Sequence, residues 1–267
     1  MPETAKARPA STLLLLRDSA GQGGESDIEV FMMVRHHQIE FNSGALVFPG
    51  GSVDPGDHDI ARKRELCDGG AGLDAQALAF RIAAIRETFE ESGILLAKSR
   101  GSTDTLSAAR AAEIGAAFRS TANKDKRFLE ILDDNGTLLA LDELVPYAHW
   151  ITPEGMPKRF DTHFFLAAAP PEQVGAHDGL ESTDSVWISP REALAGGDSG
   201  RFKLPFPTTR NLIKLARHRT VAAALDAARQ DRIVTVMPVM TRLNGGRQLR
   251  IPAEAGYDGE LFEVGAV

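Results

Sequence analysis

Apolar residues follow two periods along this chain. Short apolar runs at 11–17 (STLLLLR) and 28–34 (IEVFMMV), separated by the glycine-rich DSAGQGGESD, predict two strands and a hairpin loop. A helical period takes over at 79–93, AFRIAAIRETFEESG: Phe80, Ile82, Ala83, Ile85 and Phe89 form one broad stripe, no proline interrupts it, and Gly93 is placed as a stop. Ile94–Ala97 reads as the end of that helix or a short strand. Two helices rich in alanine and charge are expected within 105–134, closed by the DDNG turn at 133–136. Strand patterns return in VPYAHWITP, RFDTHFFLAAA and STDSVWIS, and Ser189-Pro190 then opens a short helix as N-cap and first-turn proline. Helices are predicted at 207–218 and 220–230. The tail (RIVTVMPVM, GRQLRIP, LFEV) reads as short strands that either extend a main sheet or form a swapped arm. Strands alternating with helices predict an α/β fold.

Glu87, Glu90 and Glu91 stand at i, i+3 and i+4 of the central predicted helix, so three carboxylates share one patch. Such a patch is either a solvated acidic face or a cluster of hard oxygen ligands suited to Mg²⁺ or Mn²⁺. Arg86 lies four residues before Glu90 and can hold its rotamer. Upstream, Val47-Phe48-Pro49-Gly50-Gly51 ends an apolar strand, and glycines at such a junction let backbone approach a phosphate or turn a carbonyl toward a cation.

Together these stretches resemble the Nudix box, GX5EX7REUXEEXGU, where U is a bulky apolar residue. Gly51 matches the opening glycine, Asp57 stands at the first glutamate, and Arg86, Glu87, Glu90, Glu91, Gly93 and Ile94 match the second half. The chain departs from the pattern in Asp57, in Thr88 at a U position, and in spacing: 58–85 holds 28 residues where the family has seven. The inserted segment, about 58–78, is expected to be a surface flap. The resemblance implies an α/β/α sandwich with a mixed sheet over residues 10–218, a helical insert at about 105–134, and a C-terminal extension at 219–267.

Composition adds exclusions. A formal charge of −7 and a pI near 5.5 argue against a nucleic-acid or anionic-membrane surface. The single cysteine, Cys67, rules out an intrachain disulfide and has no metal-ligand spacing to other Cys or His. No apolar run is long enough to span a membrane, so a soluble, cytoplasmic protein is expected.

The run through FNSGALVFPGGSVDPGD, the interrupted box and WITPEGMPKRFDTHFF resemble the coenzyme A diphosphatases, in particular their mammalian peroxisomal branch and its bacterial relatives. That resemblance implies hydrolysis of a nucleotide-linked diphosphate, with coenzyme A or an acyl thioester giving 3′,5′-ADP and a 4′-phosphopantetheine product. It points to Glu90 and Glu91 as metal ligands beside the Gly51 carbonyl. Glu87 would orient water or complete the metal shell, and Arg86 would brace the glutamates. Glu181 is the further acid, with Asp178 and Asp184 as competitors.

Arg35, Lys158 and Arg159 are candidate phosphate partners. Trp150 and Phe160 either stack on a base or belong to the core. His36 and His37 read as loop or substrate contacts. The helical insert would wall a cleft or serve a homodimer. Two rivals are a diphosphatase for ADP-ribose, dinucleotides or NADH, and a non-catalytic nucleotide-binding module.

Overall fold

The computed structural model describes residues 5–20, 26–34, 45–120, 128–173, 185–243 and 245–265. Its organising strand is β1 (Arg8–Ala20), which pairs antiparallel with β2 (Ser26–Val34) along its second half and with β4 (Gly50–Ser52) along its first. On its other side β1 runs parallel to β9 (Phe160–Ala168), followed by β8 (Val145–Ile151) and β11 (Thr235–Val236). β3 (Leu46–Val47) and β10 (Ser185–Ile188) complete this mixed sheet by pairing with β2.

The unbroken leucines of β1 follow from burial on both faces. Leu13 and Leu15 join Phe31 and Phe165 in a core under α2 (Ala75–Ser92); Leu14 and Leu16 join Met32 and Phe164 in a second core. That second core is closed by α5 (Pro190–Asp198), α6 (Phe206–Leu215) and α7 (Val221–Gln230). The result is the α/β/α sandwich. No helix among the described residues is long and apolar enough to cross a membrane.

Residues 58–78 are not a surface flap. α1 (Pro55–Arg62) buries Ile60 and Ala61, and Leu66 and Leu78 are buried in the same core as α2. Beyond it, β5 (Cys67–Asp68) pairs with β7 (Thr137–Ala140), which also carries β6 (Ala97–Ser99), so the insertion supplies an edge strand to a second sheet. The buried Lys98 ammonium reaches Asp68 and Asp142, each at 2.8 Å. Burial opposes its charge, but these carboxylates prevail and push it up to about 12. α3 (Ala108–Arg119) and α4 (Phe128–Asp134) cover this flank through Ile114, Ile131 and Leu132.

The tail splits. β11 extends the main sheet, whereas β12 (Val239–Leu243), β13 (Gly246–Arg250) and β14 (Leu261–Gly265) form a small antiparallel sheet of their own.

Candidate active site

α2 is fixed at both ends and in the middle. The Asp74 carboxylate accepts from the Ala77 N–H at 2.7 Å, and Gly93 closes the helix in the left-handed region at φ 77°, its N–H reaching the Phe89 carbonyl. Ser11 Oγ donates to the Phe80 carbonyl at 2.6 Å and ties the helix to β1. Past the C-cap, Gln173 accepts from Leu95 N–H and donates to the Leu95 and Leu106 carbonyls. The last two turns of α2 are thereby held over β4.

There Arg86 is the hub. Its Nε and Nη2 grip both oxygens of Asp57 at 2.8 and 3.0 Å, Nη2 also donates to the Ser52 carbonyl, and Nη1 reaches Glu87 at 2.9 Å and Glu90 at 3.3 Å. Asp57 is fully buried, and its Oδ2 also accepts the Asp54 N–H at the start of α1. The two halves of the interrupted motif are therefore joined by a bidentate ion pair across 29 positions.

Glycine is required on the facing strand. A Cβ on Gly51 would stand 2.5 Å from Glu87 Cδ, and one on Gly50 would stand 2.3 Å from the Ser11 carbonyl. The Gly50 N–H donates to Glu91 at 3.0 Å. Backbone of β4 and carboxylates of α2 thus meet without an intervening side chain.

Burial raises Glu87 and Glu90 above the ordinary carboxylate range, with Arg86 pulling both the other way. Burial likewise works against the Arg86 charge, but hydrogen bonding to Asp57 and the surrounding carboxylates hold it above its ordinary value.

Residues 61–215 match the NUDT19 Nudix domain, well over half of the chain. The chain belongs to this Nudix family. It is 30% identical over 263 aligned residues to the acyl-coenzyme A diphosphatase NUDT19 of Gallus gallus, covering 80% of this chain and 69% of that protein. To the protein of the same name from Xenopus laevis it is 27% identical, covering 73% and 61%. The chain spans only 56% of a Caenorhabditis elegans relative that is 30% identical over 188 residues. Among solved structures, a NUDIX hydrolase from Alicyclobacillus acidocaldarius superposes with a TM-score of 0.63 at 28% identity, covering 83% of this chain and 96% of that one.

Membership of the Nudix family implies a divalent cation, and the donor set fits one. Asp54, Asp57, Glu87 and Glu90 all form ion pairs with the single guanidinium of Arg86, leaving a surplus of hard, partly buried negative oxygen. Glu87, Glu90 and Glu91, with backbone of Gly51 against them, are the residues that would hold it.

Among the described residues, the three ligand-type side chains whose atoms all lie within 4.8 Å of one another are instead His149, Asp161 and His163. Both ring nitrogens of His149 are already taken, Nε2 by Asp161 at 2.5 Å and Nδ1 by Thr235 Oγ1 at 2.8 Å. His163 stacks between the His149 ring at 4.1 Å and the Phe80 ring at 4.0 Å. We read this grouping as a clamp joining β8, β9 and β11 rather than as a metal centre.

Burial first, then His149, pushes His163 down to about 4, with Asp161 opposing. The unfolded chain takes up this proton near pH 6.5, so the contribution is present above about pH 6.5 and is lost as pH falls toward about 4. His163→Gln should therefore lose less thermal stability than the parent between pH 7 and pH 4.5. Parallel melting curves for the two proteins would remove the neutral buried imidazole from the account.

The other sequence candidates separate. Arg159 donates to the carbonyls of Thr152, Pro153 and Ala5, bracing the β8–β9 connection, and lines the same cavity as Lys158 and Phe160. Trp150 belongs to the core, 3% exposed, its Nε1 donating to the Tyr257 hydroxyl and its ring T-shaped against Phe206. Lys158 and Phe160 line a cavity of about 500 Å³ with residues 5–9. Arg35, His36, His37, Asp178, Glu181 and Asp184 lie outside the described residues. Sequence reasoning missed the Asp57–Arg86 fork. The charge complementarity was present in the motif, but the partners stand 29 positions apart with an insertion between them.

Proposed function

We propose that this chain is a metal-dependent Nudix diphosphatase acting in the cytoplasm on coenzyme A or acyl-coenzyme A, releasing 3′,5′-ADP and the corresponding 4′-phosphopantetheine. The observation that carries the reading is the carboxylate set of α2, held against side-chain-free backbone of β4 by Arg86 and Asp57. The names of the chicken and frog relatives support the choice of substrate.

When bound, Mg²⁺ or Mn²⁺ would neutralise the diphosphate and lower the pKa of a coordinated water. The chain's own residues do the rest. Glu90 and Glu91 present oxygens from one turn of α2 and Glu87 from the turn before it, and Arg86 fixes the rotamers of Glu87 and Glu90. Glu87, made more basic by burial, accepts the proton of the attacking water as oxygen joins phosphorus and the P–O–P bridge breaks. A non-catalytic module has no evident need of so constrained an acidic cluster.

Product analysis tests this. With coenzyme A and Mg²⁺ or Mn²⁺, the expected products are 3′,5′-ADP and 4′-phosphopantetheine, and a chelator stops their release. ADP-ribose and NADH run in parallel; cleavage of either with coenzyme A untouched would overturn the substrate assignment, and no cleavage at all would overturn the enzyme.

A further inference from the structure

A cleft of about 780 Å³ lies on the face of the main sheet turned away from α2, between β8, β9, the start of α6 and the small sheet β12–β13–β14. Its volume suits a small organic molecule. Most of its wall is apolar, with Trp150, Phe164 and Phe206 on the side of the main sheet and Met240, Leu249 and Phe262 on the other. The last three stand in register across the small sheet and share one of its faces. Arg247, two residues before Leu249 on β13, belongs to that same face.

The charge of this wall is unbalanced. Among the described residues that line it, Lys203, Arg210 and Arg247 are cations and Glu263 is the one carboxylate. Glu263 follows Phe262 on β14, so its side chain turns to the other face of the small sheet, where it is exposed. Burial lowers the Arg210 guanidinium and Asp258 opposes this, but Asp258 already pairs with Arg217 at 2.6 Å. The Nε of Arg210 and the Nε of Arg247 are both buried with no hydrogen-bond partner among the described residues. Arg210 lies 4.5 Å from the centroid of the Phe262 ring. Phe262 is the register partner of Leu249, and Arg247 stands about 7 Å further along the strand, within reach of the same head group.

Buried guanidinium donors without acceptors are costly, and a carboxylate fits their fork. A nucleotide would set the polar edges of its base and ribose against the apolar wall, whereas a hydrocarbon chain leaves nothing there unsatisfied. We propose that this cleft is a binding site for a long-chain monocarboxylate, its chain against Trp150, Phe164 and Leu249 and its head group held by Arg210 and Arg247. The site lies across the sheet from the carboxylates of α2 and stands whether or not the chain is a diphosphatase.

Dodecanoate, titrated below its micellar range into the full chain, should bind saturably by calorimetry. Trp150 and Trp187 are the two tryptophans, so in a Trp187→Phe background the emission of Trp150 should change with the same saturation. Dodecanol and dodecyltrimethylammonium, which keep the chain and change the head group, should bind at least about tenfold more weakly, the scale of one charge-assisted contact. Arg210→Gln and Arg247→Gln should each weaken dodecanoate about tenfold and leave dodecanol unchanged. Arg247→Gln, on the small sheet, carries the test if Arg210→Gln does not fold. Glu90→Gln should bind dodecanoate like the parent. Equal binding of the three head groups, or dodecanoate binding untouched in both glutamine variants, would overturn the site. Dodecyl phosphate bound about tenfold more tightly than dodecanoate would overturn the choice of carboxylate, and binding lost in Glu90→Gln would move the ligand to α2 and overturn the cleft.

Discussion

Glu90→Gln and Glu91→Gln should each lower turnover of coenzyme A by at least on the order of 10²-fold, the scale seen when one group supporting transition-state charge is removed, while the melting temperature holds or rises. Gln keeps the shape of each side chain and removes its charge. Both residues are exposed at the end of α2, and Glu90 already sits above the ordinary carboxylate range through burial of its carboxyl, so neutralising either relieves repulsion within the patch. An activity loss without destabilisation separates a ligand of the reaction centre from a structural ion pair. Initial rates over a Mg²⁺ titration, with melting curves beside them, make the comparison. Near-parental kcat in either variant would remove that residue from the site.

The second large effect concerns stability. Asp57→Asn should cost about 3 kcal/mol in denaturant unfolding, the lower end of the range for breaking a buried pair from one side. Asp57 is fully buried, and Arg86 would keep Glu87, Glu90, the Ser52 carbonyl and a longer ion pair at 3.7 Å to the exposed Asp54. The amide can still accept the Asp54 N–H, so the start of α1 should survive and the loss should register at Arg86. Activity should fall with it, because the same guanidinium fixes Glu87. A variant as stable as the parent would show that the fork is dispensable.

The sandwich was readable because its signals are local. Four consecutive leucines in β1 announce a strand buried on both faces, and the stripe from Phe80 to Phe89 announces the helix that covers one of them. The carboxylate patch was readable for the same reason, since i, i+3 and i+4 spacing is geometry within a single helix. The inserted segment was misread because its burial depends on distant partners: Cys67 gains a strand neighbour in Leu139, and Asp68 meets Lys98. Neither pairing leaves a periodic trace nearby. Residue type alone left Trp150 open between stacking and core and pointed Arg159 at a phosphate, since an aromatic and a cation near a site serve packing and backbone bracing equally well.

The Asp57–Arg86 fork also closes a ring of chain, and chain statistics show what that implies. The entropy of closing a flexible loop grows only with the logarithm of its length, by about 0.6 kcal/mol per doubling. Passing from the seven intervening residues of the uninterrupted pattern to the 28 found here is two doublings, about 1.2 kcal/mol. One bidentate buried contact outweighs that. Loop closure by itself therefore sets little limit on the length of this segment; its buried residues and its strand pairing set the limit instead.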